Sequence, residues 1–112
     1  MLTIHRETQG NVEIIHPRGR IDGFTAPQLE DALQTALKEH RFRIVVDFAD
    51  TEFLSSAGMR ALLHARQGAQ ERGKGDVRLA NMSKFLTDAF ELVGFHKLFK
   101  IYPDRTAAVK SF

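Results

Sequence analysis

The sequence predicts an α/β domain, a mixed β-sheet entered through an N-terminal hairpin and accompanied by about four helices. Three observations carry that expectation. Residues alternate with period two between Leu2 and Pro17, then change to helical spacing from Ala26. The run Ile44-Val45-Val46 is apolar without alternation, as in a central strand covered on both faces. From there extended and helical segments alternate to the end of the chain, which calls for crossover helices on a sheet.

Taken in order, Leu2 to Glu7 reads as a first strand that breaks at Gln9-Gly10-Asn11. Val12, Ile14 and His16 alternate against Glu13, Ile15 and Pro17 in a second strand, expected to end at Pro17 and Gly19. Ala26, Leu29, Leu33, Ala36 and Leu37 share one stripe, so a first helix is expected from Ala26 to Glu39. Thr25 and Gln28 have the spacing of a capping box, with Pro27 tolerated in the first turn. A strand follows from Arg43 to Phe48, then a turn at Ala49-Asp50-Thr51-Glu52. Met59, Leu62, Leu63 and Arg66 recur at helical spacing after Ser55-Ser56-Ala57-Gly58, and Gly68 and Gly73 weaken and end that second helix. Asp76 to Ala80 reads as a short strand. Asn81 or Ser83 can cap a third helix with the stripe Phe85, Leu86, Ala89, Phe90 and Val93, stopped by Gly94. Leu98, Phe99 and Ile101 suggest a last strand, and Pro103-Asp104 opens a terminal helix carrying Ala107, Ala108 and Val109.

Composition narrows the function. A chain of 112 residues has room for one core, so residues 1–112 are read as one domain. With 43% hydrophobic and 27% charged residues it is globular rather than disordered. Lys+Arg 16 against Asp+Glu 14 leaves +2, too little to announce a nucleic-acid binder, and the pI near 9.2 follows from that small surplus. No apolar run reaches the roughly 18 to 20 residues of a membrane span, and Met-Leu-Thr-Ile-His-Arg-Glu turns charged too early for a signal peptide. Those readings imply no membrane association and a cytoplasmic location. Cysteine count 0 excludes disulfides, thiolate zinc sites and thiol nucleophiles.

Catalysis finds no footing. Ser55-Ser56-Ala57-Gly58 follows a strand and opens a helix, but the Gly-x-Ser-x-Gly pattern of a nucleophile elbow is missing. His64 lies two helical turns beyond Ser56, out of hydrogen-bond reach, and His5, His16, His40 and His96 read as surface or edge histidines. There is no phosphate-binding glycine loop and no paired-histidine metal motif, so neither metal nor cofactor is expected. Arg60, Arg66, Arg72 and Lys74 read as a solvated helix face. What stands out is the serine pair. One hydroxyl can cap the second helix, and the same helix start would stabilise a phosphate on Ser56. The residues alone leave both readings open.

The stretch Val45 to Leu63, VVDFADTEFLSSAGMRALL, resembles the signature of the STAS domain, especially of freestanding bacterial anti-sigma factor antagonists. Gly19-Arg20-Ile21-Asp22-Gly23-Phe24-Thr25-Ala26 is similar to that family's opening of the first helix, and Phe90 to Phe99 to the ending of its third. The resemblance implies a non-enzymatic switch with a single STAS-like fold. Such a protein binds an anti-sigma factor that is itself a serine kinase, is released by phosphorylation, and is reset by a PP2C-type serine phosphatase. Position for position, the phosphorylated serine falls on Ser56, with Ser55 as the alternative. The partner-binding residues fall on Asp22, Gly23, Phe24 and Thr25 before the first helix and on Ser55, Ser56, Ala57, Gly58, Met59 and Arg60 at the second. Family members with well-marked phosphosites usually read Asp-Ser-Ser-Gly or Asp-Ser-Thr-Gly. Here Ser55 stands for the aspartate and Ala57 for the second hydroxyl residue. That departure keeps an alternative, an accessory subunit of a transport or signalling complex without a phosphorylation cycle.

Overall fold

The hairpin opens the sheet: β1 (Leu2–Gln9) and β2 (Val12–Ile21) pair antiparallel across Gly10 and Asn11. Then follow α1 (Ala26–Lys38), β3 (Arg43–Asp47), β4 (Thr51–Leu54), α2 (Ser56–Gly73), β5 (Asp76–Ala80), α3 (Lys84–Leu92), β6 (Ile101–Tyr102) and α4 (Arg105–Lys110). The computed structural model describes residues 1–112. Sheet order is β1-β2-β3-β5-β6, with β4 added beside the end of β2, and every pairing after the hairpin is parallel.

Alternation in the central strands divides the molecule into two layers of unequal size. Ile15, Ile44, Val46, Val77 and Leu79 belong to a cluster of 22 buried residues closed by Leu29, Leu33 and Leu37 of α1, Leu62 of α2 and Leu86 and Phe90 of α3. Val12, Ile14, Val45 and Ala80 face the other way and meet Ala108 of α4 in a cluster of 5. Both faces of Val45-Val46 are thus covered, which is why that run carries no polar residue. The parallel strands β2, β4 and β5 all end at one edge of the sheet, and α1, α2 and α3 all begin there. This carboxyl edge is where an α/β sheet ordinarily presents its functional groups.

Several expectations need correction. β2 continues through Pro17 to Ile21. The two-residue turn leaves Pro17 opposite Ile4 at a position that donates nothing to β1. On its other side β2 pairs with β3 at Glu13–Ile15 and with β4 at Gly19–Ile21, so the missing N–H falls in the gap between them. Thr51 and Glu52 belong to strand β4 rather than to a turn, which makes six strands instead of the five expected. The Thr25–Gln28 capping box does not form: Thr25 sits at φ −97°, ψ −18°, and the Gln28 amide donates to the Leu2 carbonyl at 3.2 Å. Ser83, not Asn81, caps α3 by accepting from Leu86 N at 3.1 Å. Only Leu86 and Phe90 of its stripe are fully buried, while Phe85 and Val93 are exposed.

Past Gly94, whose φ of 79° suits glycine, the chain coils through a short 3-10 turn (Phe95–Lys97) instead of forming a strand at Leu98. Phe99 turns in against Phe90 and Phe95, with ring centroids 6.0 and 6.2 Å apart, and strand pairing is left to Ile101 and Tyr102.

Candidate functional site

The site is built where β2 and β4 end. Leu54 closes β4, and Ser55 donates its backbone N–H to the Ile21 carbonyl at 2.8 Å, tying the start of α2 to the end of β2. Ser55 is extended (φ −78°, ψ 168°), the conformation a helix cap requires, and its Oγ accepts from Gly58 N at 3.2 Å. Its carbonyl takes the first helical bond, from Met59 N at 3.0 Å. Ser56 is therefore the first residue inside α2, and it is exposed. No acidic residue stands in that first turn, so the positive end of the helix is uncompensated there. Arg60, four residues on and on the same side, is exposed as well.

Gly58 and Met59 point the other way. A Cβ at Gly58 would stand 2.5 Å from Leu54 Cδ1 and 2.8 Å from Ile21 Cγ2, so a side chain here would have to displace those two buried methyls or lift α2 off the strand ends. Met59 is buried in the main core. These two hold the surface from beneath, and Ser56 and Arg60 form it.

The neighbouring turn, Asp22 to Thr25, is locked by its own side chains. The Asp22 carboxylate accepts from the backbone N–H of Phe24 (2.9 Å) and Thr25 (3.0 Å). Thr25 Oγ1 accepts from Asp22 N (2.8 Å) and donates to the Arg20 carbonyl (2.7 Å). These bonds, the Thr25 N–H first, hold the Asp22 carboxyl below its ordinary range, and the Arg20 charge adds to the effect. Thr25 thus works within the turn, and Phe24 is left standing in solvent.

Between α1 and α2 runs a groove of about 300 Å³ lined in part by the small residues Gly23, Ala26, Ala57 and Ala61. His64 Nδ1 faces Glu30 Oε1 across it at 3.5 Å. His64 is thereby committed to α1, and Ser56 has no base beside it. Arg60, Arg72 and Lys74 are exposed as expected, whereas Arg66 is not part of that solvated face: it lies against the Phe99 ring (5.8 Å) and Asp76 (3.8 Å).

A second polar constellation, which no sequence pattern announces, lies on the sheet face that α4 covers. Arg105 donates to Asp47 Oδ2 (2.8 Å), to Glu7 and to His16 Nδ1 (3.1 Å), while His16 Nε2 meets Asp50 Oδ2 at 2.8 Å. Because a guanidinium can only donate, Nδ1 of His16 must accept and its proton sits on Nε2, toward Asp50. His16 is therefore a buried member of a network and not an edge histidine. Burial would raise the Asp47 carboxyl, but hydrogen bonds from Asn81, Ala49 N–H and Arg105 outweigh it and hold that carboxyl low. No local signal marks these residues, since Arg105 lies 58 positions from Asp47 and 89 from His16.

Residues 3–108 match the model of the STAS domain, and the chain belongs to that family. Within it the chain is similar to anti-sigma factor antagonists. BtrV of Bordetella bronchiseptica, provisionally named as one, is 31% identical over 96 residues, 85% of this chain and 81% of that protein. The crystal structure of an anti-sigma factor antagonist from Mycobacterium paratuberculosis superposes with a TM-score of 0.87 at 25% identity, over 99% of this chain and 93% of that one. The fold is shared with the Bacillus protein SpoIIAA, solved unphosphorylated and phosphorylated. Both superpose with a TM-score of 0.73 at 19% identity, over 97% and 98% of this chain and 96% and 100% of theirs. No helix of the protein is long and apolar enough to cross a membrane.

Proposed function

We propose that this protein is an anti-sigma factor antagonist working by partner switching in the bacterial cytoplasm. In its unmodified form the surface around Ser56 binds an anti-sigma factor that is also a serine kinase, and the sigma factor is freed. The kinase transfers the γ-phosphoryl of ATP to the Ser56 hydroxyl, leaving ADP, and the complex separates. A PP2C-type phosphatase hydrolyses the ester and resets the switch.

The observation that carries this reading is the unequal standing of the two serines. Ser55 spends its oxygen on Gly58 N, while Ser56 is exposed on the first turn of α2, one residue beyond the Ser55 N–H that bonds the Ile21 carbonyl. The antagonists among the relatives support the choice of partner class. A phosphoserine adds about −1.5 to −2 charge. Desolvating an unmatched charge in an interface costs about 2 to 5 kcal/mol. At 1.4 kcal/mol per decade, that weakens binding roughly 30-fold to several thousand-fold.

Incubation with the kinase and ATP, followed by mass spectrometry, tests the assignment. Ser56→Ala should bind the kinase and take up no phosphate, and Ser56→Asp should bind at least about 30-fold more weakly, in line with that cost. Phosphate found on another residue, or none on the wild-type chain, would sink the proposal.

A further inference from the structure

We propose that Phe24 is the aromatic anchor by which this surface grips its partner, with the Asp22–Thr25 turn as a rigid mount. The proposal rests on the reading of Ser56 as the centre of a contact with an anti-sigma factor, and it names the side chain that supplies the affinity. The partner's matching feature is an apolar pocket deep enough for a phenyl ring.

Phe24 is 95% exposed, whereas Phe48, Phe90 and Phe99 are almost wholly buried. Nothing in the domain's own packing uses its ring. The backbone beneath it is nonetheless tied down: four hydrogen bonds from or to the Asp22 and Thr25 side chains engage the backbone of Arg20, Asp22, Phe24 and Thr25. A flexible loop would have to be ordered at a cost when a partner bound, but this one is ordered beforehand. An aromatic ring on such a mount has only two torsions left to fix and a large apolar area to bury.

Position supplies the link to Ser56. The Ile21 carbonyl that precedes the turn accepts from Ser55 N, and Gly23 lines the same groove as Ala57 and Arg60. Phe24 and Ser56 therefore belong to one patch at the carboxyl edge of the sheet. Leu92, which is 88% exposed, makes a useful contrast. It closes α3, which begins at the carboxyl edge and runs away from it. Small residues flank the patch, so a protruding ring beside a shallow groove gives the surface its relief.

The test is a binding titration of wild-type chain, Phe24→Ala, Phe24→Leu and Ser56→Asp against the purified kinase anti-sigma factor, with the rate of Ser56 phosphorylation measured in parallel. Phe24→Ala should weaken binding by at least about 30-fold, the scale of a hot-spot truncation. Phe24→Leu should recover part of the loss. The KM for phosphorylation should rise with little change in kcat, because the ring touches the partner and not the reacting oxygen. The melting temperature should not move, since the ring is outside the core.

If the wild-type chain binds and responds to Ser56→Asp while Phe24→Ala stays within about threefold of wild type, the anchor is overturned and the Ser56 reading stands. If the wild-type chain does not bind the anti-sigma factor, both fall together.

Discussion

Ser55 and Ser56 are one position apart and differ in what surrounds them. Ser55 has the extended backbone of a cap and an oxygen bonded to Gly58 N, whereas Ser56 has helical backbone and faces solvent. Ser55→Ala should therefore cost about 1 kcal/mol of stability. Ser56→Ala should stay within about 0.5 kcal/mol. Paired thermal melts check this, with a drop of several degrees expected for the first variant and almost none for the second; equal drops would mean that the capping role is shared. The serines themselves were legible as functional candidates from their place between a strand and a helix. Their division of labour was not, because it depends on one residue's ψ angle. Thr25 teaches the same lesson in reverse. Its spacing to Gln28 fits a capping box, but its backbone is already αR, and a cap oxygen reaches back to the helix only from an extended conformation.

The elements are most legible in the sequence where one periodicity runs uninterrupted, as in α1, β3 and β5, and least legible where a strand changes partner. The expected end of β2 at Pro17 and the absence of β4 from the pattern share one cause: Pro17 marks the gap between two partners on the same edge, and β4 pairs only with the part of β2 beyond it. This matters at the site, since the last pairing of β2 with β4, Ile21 opposite Leu54, sets the distance between Asp22 and Ser55. For α2 the capped, uncompensated N-terminus carries a consequence for the proposed switch. A negative charge on Ser56 meets the positive end of the helix dipole and should stabilise the isolated domain by about 0.3 to 1 kcal/mol. Ser56→Asp should thus melt at or slightly above the wild-type temperature even as it loses its partner. A fall of several degrees would show that the charge acts by disturbing α2, and the interface account would then be wrong.

At the scale of the whole molecule the two faces of the sheet are held by different forces. The main core is apolar and was legible almost residue by residue from helix stripes and the β-branched strand. The face under α4 has only five buried apolar residues, and a polar network completes it. Arg105 joins the first turn of α4 to Asp47 of β3, Glu7 of β1 and His16 of β2. At the other end of α4 Arg78 donates to the Ser111 carbonyl and hydroxyl at 2.6 and 2.7 Å. Such links between distant residues leave no periodic trace, which is why the sequence announces the terminal helix and the covered strand but not the network that joins them. They do leave a trace in pH. The folded Asp47 carboxyl is held below the unfolded value of about 3.9, so its contribution is complete above that pH and is lost as pH falls through the lower folded value. Asp47→Asn removes the charge and strands Arg105 with Glu7 alone as a carboxylate partner. Arg105 is 23% exposed on its side chain, so the cost at neutral pH should be less than the roughly 3 to 5 kcal/mol of breaking a fully buried pair. Melting temperatures of wild-type and Asp47→Asn chains, followed from pH 7 downward, should differ clearly at neutral pH, begin to converge as pH falls below about 4, where the unfolded carboxyl takes up its proton, and meet only below the lower folded value. A gap that stayed constant across that range would mean that Asp47 serves α4 through shape and neutral hydrogen bonds, with its charge contributing nothing.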